Sequence, residues 1–206
     1  MTMEGWRVGL ALGLPWLVGA LWLRVLWRDA TAGGWPLALG YGYILGLLAT
    51  TLLVRAQAAF GLPLNFVGPA MMLAALALAG GGFMWLRTAV SNPHPMHKPE
   101  DADAGERWRQ ILFALLLIGL GVRLTGLALE VWWRPLYPWD AWTTWTVQPR
   151  VWSELHQLVP FGDAQRWLAD VSASVYTLEA WTYPKTVPLL ALWPTLAFGA
   201  WNETAA

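Results

Sequence analysis

The chain has 206 residues, of which 57% are hydrophobic and 13% charged, about half of the ~25% charge of an ordinary soluble domain. Thirteen basic residues balance thirteen acidic ones, and no stretch gathers the positive charge that marks a nucleic-acid binder, so no nucleic-acid partner is expected. Cysteine is absent, which excludes disulfides, zinc–thiolate centres and thiol nucleophiles.

A bilayer core of ~30 Å takes about 20 apolar residues in a helix. Runs of that kind occur at 8–27, 35–54, 63–86 and 110–131, with a barely long enough fifth at 187–201. Ala30-Thr31-Ala32 after the first run imitates a leader-cleavage site. Glu4 cancels Arg7 ahead of the run, however, and Arg24 and Arg28 lie at its far end, the wrong flank for a leader, so the segment is read as a retained helix. The expected fold is an all-α polytopic membrane bundle of about five transmembrane helices: four in 1–131, an aromatic-rich loop at 132–186, and the start of a fifth at 187–206, expected to be truncated.

Loop charges predict the orientation. Arg24, Arg28, Arg87, Lys98, Arg107 and Arg109 fall on one side of the predicted membrane, Arg7 and Arg55 on the other. The amino terminus and the 132–186 loop are therefore expected outside, in a bacterial inner membrane. The inside connection at 91–108 carries His94 and His97, but Pro93 and Pro95 deny them a regular scaffold, and it reads as a solvated linker rather than a metal site.

Arg123 stands 13 positions into the fourth run, roughly 20 Å along it at 1.5 Å per residue. An arginine at mid-membrane costs about 2.5–3.5 kcal/mol and is normally aimed at protein, water or an anion. Glu130, two turns on, is the simple partner; a lipid phosphate is the functional one.

Eight tryptophans lie between Trp132 and Trp181. An interfacial belt accounts for one or two rings at each helix end. Trp139, Trp142 and Trp145, with Trp152 a heptad beyond, have instead the spacing of one face of a short surface-lying helix. Asp140, the acid inside this cluster, has Pro138 before it and Pro149 after the apolar stretch, the pattern of an N-cap and a proline stop. A carboxylate fixed there is also suited to accept a proton. Lys185 sits between Tyr183-Pro184 and the fifth run, either as a snorkelling cation or as a contact for lipid phosphate.

Trp-Asp-Ala-Trp-x-x-Trp-x-x-x-x-Arg from Trp139 and Tyr-Pro-x-x-x-Pro-Leu-Leu from Tyr183 resemble the N-terminal part of GT-C-type membrane glycosyltransferases, the bacterial relatives of protein O-mannosyltransferases and aminoarabinose transferases. The likeness covers roughly 136–203. It implies a polyprenyl-phosphate sugar as donor, membrane lipids as surroundings, and inverting transfer on the outer face to an acceptor the sequence does not identify. By position, Asp140 corresponds to the loop acid that acts as base, Arg150 to the basic residue ending the first surface helix, and Tyr183-Pro184 to the re-entry element. Trp139, Trp142, Trp145, Arg150, Tyr183, Lys185 and Arg123 are the expected substrate-binding residues. Ala141 follows Asp140 where many relatives have a second acid, so a divalent metal is not supported. Four spans precede the loop where relatives usually have one, leaving 1–110 outside the resemblance. Two rival readings are a non-catalytic scaffold or assembly subunit, and a small transporter suggested by Arg123 and Gly80–Gly82.

Overall fold

The computed structural model describes residues 3–27, 34–90, 104–133 and 140–203. Four helices carry most of the chain: α1 (Met3–Leu26), α2 (Gly34–Ala59), α3 (Val67–Val90) and α4 (Ala104–Trp133). Their apolar stretches, Gly5–Leu26, Gly34–Ala59, Val67–Arg87 and Arg107–Trp133, are each long and apolar enough to cross a membrane, and match the four long runs of the sequence to within a few residues. This is the composition of a membrane protein.

Backbone contact joins α1 to α2. A Cβ on Gly46 would stand 1.7 Å from the carbonyl oxygen of Pro15, and one on Gly19 equally close to that of Gly42. Only glycine permits this approach, the usual device where hydrocarbon solvent gives helices no hydrophobic reason to associate. Indole N–H groups then tie the bundle together. Trp16 donates to the carbonyl of Leu39 (2.7 Å), Trp22 to that of Leu76 (2.9 Å) and Trp193 to that of Ala11 (2.7 Å), each on another helix. Tryptophan suits this because it packs as an apolar ring yet carries a donor. Ala11 is the informative acceptor: Pro15 lies inside α1, and with no N–H of its own it leaves the carbonyl four residues earlier without a helical donor. The Trp193 indole supplies one.

At one end of the bundle Arg87 donates to the Val25 carbonyl, and the Arg24 guanidinium lies 5.3 Å from the Trp35 ring centre. The other end holds the connection between α2 and α3 together with the whole described part of the aromatic loop. There a π-helical turn (Ala141–Trp145) leads into α5 (Val147–Leu155), followed by β1 (Phe161–Gly162), α6 (Ala164–Ala169), β2 (Tyr176–Thr177) and α7 (Thr186–Phe198). The two short strands pair in parallel, Phe161 with Tyr176 and Gly162 with Thr177. Helix α7 has 13 residues, shorter than the ~20 needed to span. It packs among α1, α2 and α5, with Leu189, Leu192 and Trp193 almost wholly buried. His156 fastens the loop to the bundle: its carbonyl accepts from Leu64 N–H (2.7 Å) while its Nδ1 lies 3.0 Å from the Leu64 carbonyl.

Helix α4 stands apart. None of its most apolar 18-residue window is buried by the rest of the described chain, and Arg123 and Glu130 are both exposed on it. The Arg123–Glu130 pair, one of the two alternatives read for this arginine, does not form; among the described residues the ion pair is Arg150–Glu154 (3.3 Å). Seven residues separate Arg123 from Glu130, about 10.5 Å along a helix, and both side chains lean toward the N-terminus, so the acid points toward the arginine while the arginine points away.

Candidate functional site

The opening of the aromatic loop is built differently from the N-cap and proline stop read from the sequence. Asp140 already has helical dihedrals (φ −62°, ψ −26°), and its carboxylate caps no backbone N–H. Pro149 does not stop the helix either; it lies in the first turn of α5. A proline there removes one N–H and crowds the carbonyl of Trp145, four residues back. The chain responds by widening just before it: the Thr146 N–H bonds to the Ala141 carbonyl, five residues earlier, at 2.9 Å, and ordinary spacing resumes with Arg150 N–H to Thr146. Arg150, expected at the end of this helix, lies inside it and pairs outward with Glu154.

These changes separate the aromatic residues. Trp139 lies outside the described residues, as does the side chain of Trp142. The Trp145 ring stacks on Tyr183, 5.5 Å between centres, joining the π turn to the segment ahead of α7. Trp152, the expected heptad companion at the membrane surface, is instead buried: it meets Phe161 edge-on at 6.1 Å, and its indole donates to the Val159 carbonyl (2.9 Å). It is a packing residue of the loop.

A cavity of about 740 Å³ opens at this end of the protein, between the last turns of α2, the end of α5, β1 and the start of α7. Trp152, Phe161 and Trp181 contribute its aromatic wall and Leu158 and Leu189 aliphatic surface; among the described residues Arg55 and Lys185 are its charged lining and no carboxylate lines it. Lys185 is the residue ahead of α7, and its ammonium donates to the Trp181 carbonyl. Burial pushes its pKa below the ordinary lysine value, because the charged form has lost solvent without gaining an anion. Arg55, toward the end of α2, is exposed. Two cations and no acid make a cavity that favours an anion, and aromatic walls favour one attached to an apolar or sugar-like body.

Of the expected site residues, the structure sets Trp145 against Tyr183 and places Lys185 in the cavity wall, which neither of those two rings lines. Asp140 is exposed five residues before Trp145 and is not in the cavity wall; Arg123, on α4, is not in it either. Arg55, which the sequence offered only as a loop charge, is the second cation. Its one signal was position: it ends the second span on the side predicted to carry the aromatic loop. Gln148 was also missed; its side chain is 2% exposed, and its carbonyl oxygen has no hydrogen-bond partner among the described residues. No protein-family model matches the chain, and neither a curated protein nor a solved structure does.

Proposed function

We propose that the chain is the donor-binding part of a GT-C-type membrane glycosyltransferase, in which the cavity between Arg55 and Lys185 receives the phosphate of a polyprenyl-phosphate sugar on the extracytoplasmic side. The observation that carries the reading is the pairing of two cations, without any carboxylate, in an aromatic cavity of about 740 Å³. A volume of 300–1,000 Å³ suits a small-molecule site. The Trp-Asp-Ala-Trp and Tyr-Pro patterns support the same assignment independently, as does the six-to-two division of basic residues, by which this end of the bundle is expected outside.

In this reading Asp140 accepts the proton of the acceptor's hydroxyl or amine. The acceptor atom bonds to the anomeric carbon as the bond from that carbon to the phosphate oxygen breaks, and the electron pair departs on the phosphate. Arg55 and Lys185 stabilise the charge that develops there, the kind of electrostatic term that dominates many transfer reactions. The Trp145–Tyr183 stack couples the turn bearing Asp140 to the segment bearing Lys185. Arg123 is assigned no contact with the phosphate. A second reading, a non-catalytic assembly subunit, draws on α4, whose arginine and glutamate lie uncovered in an apolar span.

Binding of a polyprenyl phosphate to the purified protein in a neutral detergent tests the proposal. Arg55→Gln and Lys185→Gln should each weaken it by roughly 10- to 100-fold, since a hydrogen bond to a charged group contributes about 1.5–3 kcal/mol, while the uncharged polyprenol binds all variants alike. Equal affinity of polyprenol and polyprenyl phosphate for the unaltered protein would remove the phosphate site and favour the assembly reading.

A further inference from the structure

A second depression, sharing no lining residue with the cavity, runs between α1 and α3 near the same end of the bundle. Its volume is about 570 Å³. Trp6, Leu10 and Leu14 line it from α1 at helical spacing, and Val67, Ala70, Met71 and Ala74 from α3 and its first turn. Ala70 and Ala74, one turn apart, keep its floor low. The run from Trp6 to Leu14 is about 12 Å long at 1.5 Å per residue.

Arg7 is the charged residue of this furrow. Its guanidinium lies 5.3 Å from the centre of the Phe66 ring, a cation–π contact that holds it over the furrow. A guanidinium carries five N–H donors, and a ring contact offers them no acceptor oxygen. Among the described residues none of these donors has an acceptor, and no carboxylate pairs with the charge. A cation with unused donors stands, therefore, beside a channel of hydrocarbon, in the second turn of α1.

We infer that this furrow is a binding site for an anionic phospholipid, with the phosphate on Arg7 and one acyl chain lying along Leu10, Leu14, Ala70 and Ala74. Charge complementarity selects this occupant: a neighbouring helix laid in the furrow would need an acid to meet Arg7, and an uncharged lipid would leave the donors empty. The site belongs to residues 6–74, outside the region that carries the glycosyltransferase likeness, and it does not depend on that reading.

The test is native mass spectrometry of the purified protein in a neutral detergent, with phosphatidylglycerol and phosphatidylcholine of identical chains in equal amounts. The unaltered protein should retain phosphatidylglycerol about five-fold over phosphatidylcholine, the factor expected of one basic residue near a lipid headgroup. With the cavity's own cations removed by Arg55→Gln and Lys185→Gln, Arg7→Gln should bring the ratio near one while tail binding persists. Ala70→Phe with Ala74→Phe should displace both lipids, with circular dichroism confirming an unchanged fold; Ala70→Leu alone, expected to weaken both lipids, serves if the double variant does not fold. Arg55→Gln with Lys185→Gln, which silences the cavity, should leave the preference of the furrow intact. Three results would overturn the site: a preference that survives Arg7→Gln in the background lacking the cavity's cations, a preference lost in Arg55→Gln with Lys185→Gln, which would assign the lipid to the cavity, or competition by inorganic phosphate, which would reduce the furrow to a bare anion contact. A dimer that excludes both lipids would assign the furrow to a second copy of the chain and overturn it equally.

Discussion

Trp193→Phe is expected to destabilise the bundle mainly through one carbonyl. Trp193 is 2% exposed, its ring lies 4.7 Å from Phe66, and its indole reaches the Ala11 carbonyl at 2.7 Å. Phenylalanine keeps most of the ring contact but donates nothing, and Pro15 cannot take over as donor. Removing one partner of a buried hydrogen bond costs about 1–3 kcal/mol, although interhelical bonds in membranes average nearer ~0.6 kcal/mol because the unfolded helices also find partners. The smaller ring adds a packing loss of its own. Pro15→Ala separates the two contributions, because alanine restores the N–H that Ala11 lacks. In that background Trp193→Phe should cost less by about 0.6–3 kcal/mol, the difference being the coupling between the two sites. Unfolding in a denaturing detergent, followed by circular dichroism on all four proteins, gives the cycle. An equal cost of Trp193→Phe in both backgrounds would refute the argument that the indole replaces a missing helical donor.

Asp170 should control the loop at 170–175. Its carboxylate accepts from the Ser172 hydroxyl and from the backbone N–H groups of Ser172, Ser174 and Val175, and these bonds, the Ser172 hydroxyl foremost, hold its pKa down at about 2 from 3.8. A depressed carboxylate contributes its stabilisation fully above the unfolded value and loses it as pH falls through the folded one. The Ser174 and Val175 amides should therefore stay protected from hydrogen exchange above pH 3.8 and lose protection between 3.8 and about 2, whereas Asp170→Asn should expose them at neutral pH; protection unchanged in that variant would refute the assignment. Lys185 gives a prediction at the other end of the scale. Its pKa lies below the ordinary 10.5, so phosphate affinity should fall on the alkaline side earlier than for a solvated lysine. Lys185→Arg, which keeps its proton at all accessible pH, should move that loss upward; an identical alkaline profile in both proteins would show that another group titrates.

The four long helices were legible because a span needs only length and apolarity, and both are written continuously in 8–27, 35–54, 63–86 and 110–131. The tryptophans were harder to read. Sequence spacing put Trp152 on a membrane-facing surface with Trp145, but spacing assumes a regular helix, and the π turn that accommodates Pro149 shifts the phase between them. Likewise the Asp140 pattern fits a cap, yet an acid caps only if its backbone is extended at that point, and here the helix already includes it. The strands Phe161–Gly162 and Tyr176–Thr177 are two residues each, too short for any alternation to register. Lys185, which lines the cavity, stood out through its position beside Pro184; Tyr183 stood out likewise but meets Trp145 outside the cavity wall. Arg55 did not, because its relation to Lys185 exists only once α2 and α7 pack and the loop folds across their ends. The Arg123–Glu130 alternative failed on helix geometry alone, since a seven-residue separation shares a face without sharing a height.

The central claim is that the cavity between Arg55 and Lys185 takes the phosphate end of a polyprenyl-phosphate donor. A polyprenyl phosphate carrying a photoreactive group beside its phosphate, irradiated with the purified protein and mapped by peptide mass spectrometry, measures this directly. The account predicts label in 152–161 and 181–189, suppressed by excess unlabelled polyprenyl phosphate and diminished in Lys185→Gln. Label confined to α4 around Arg123, or spread over all helices without competition, would contradict it.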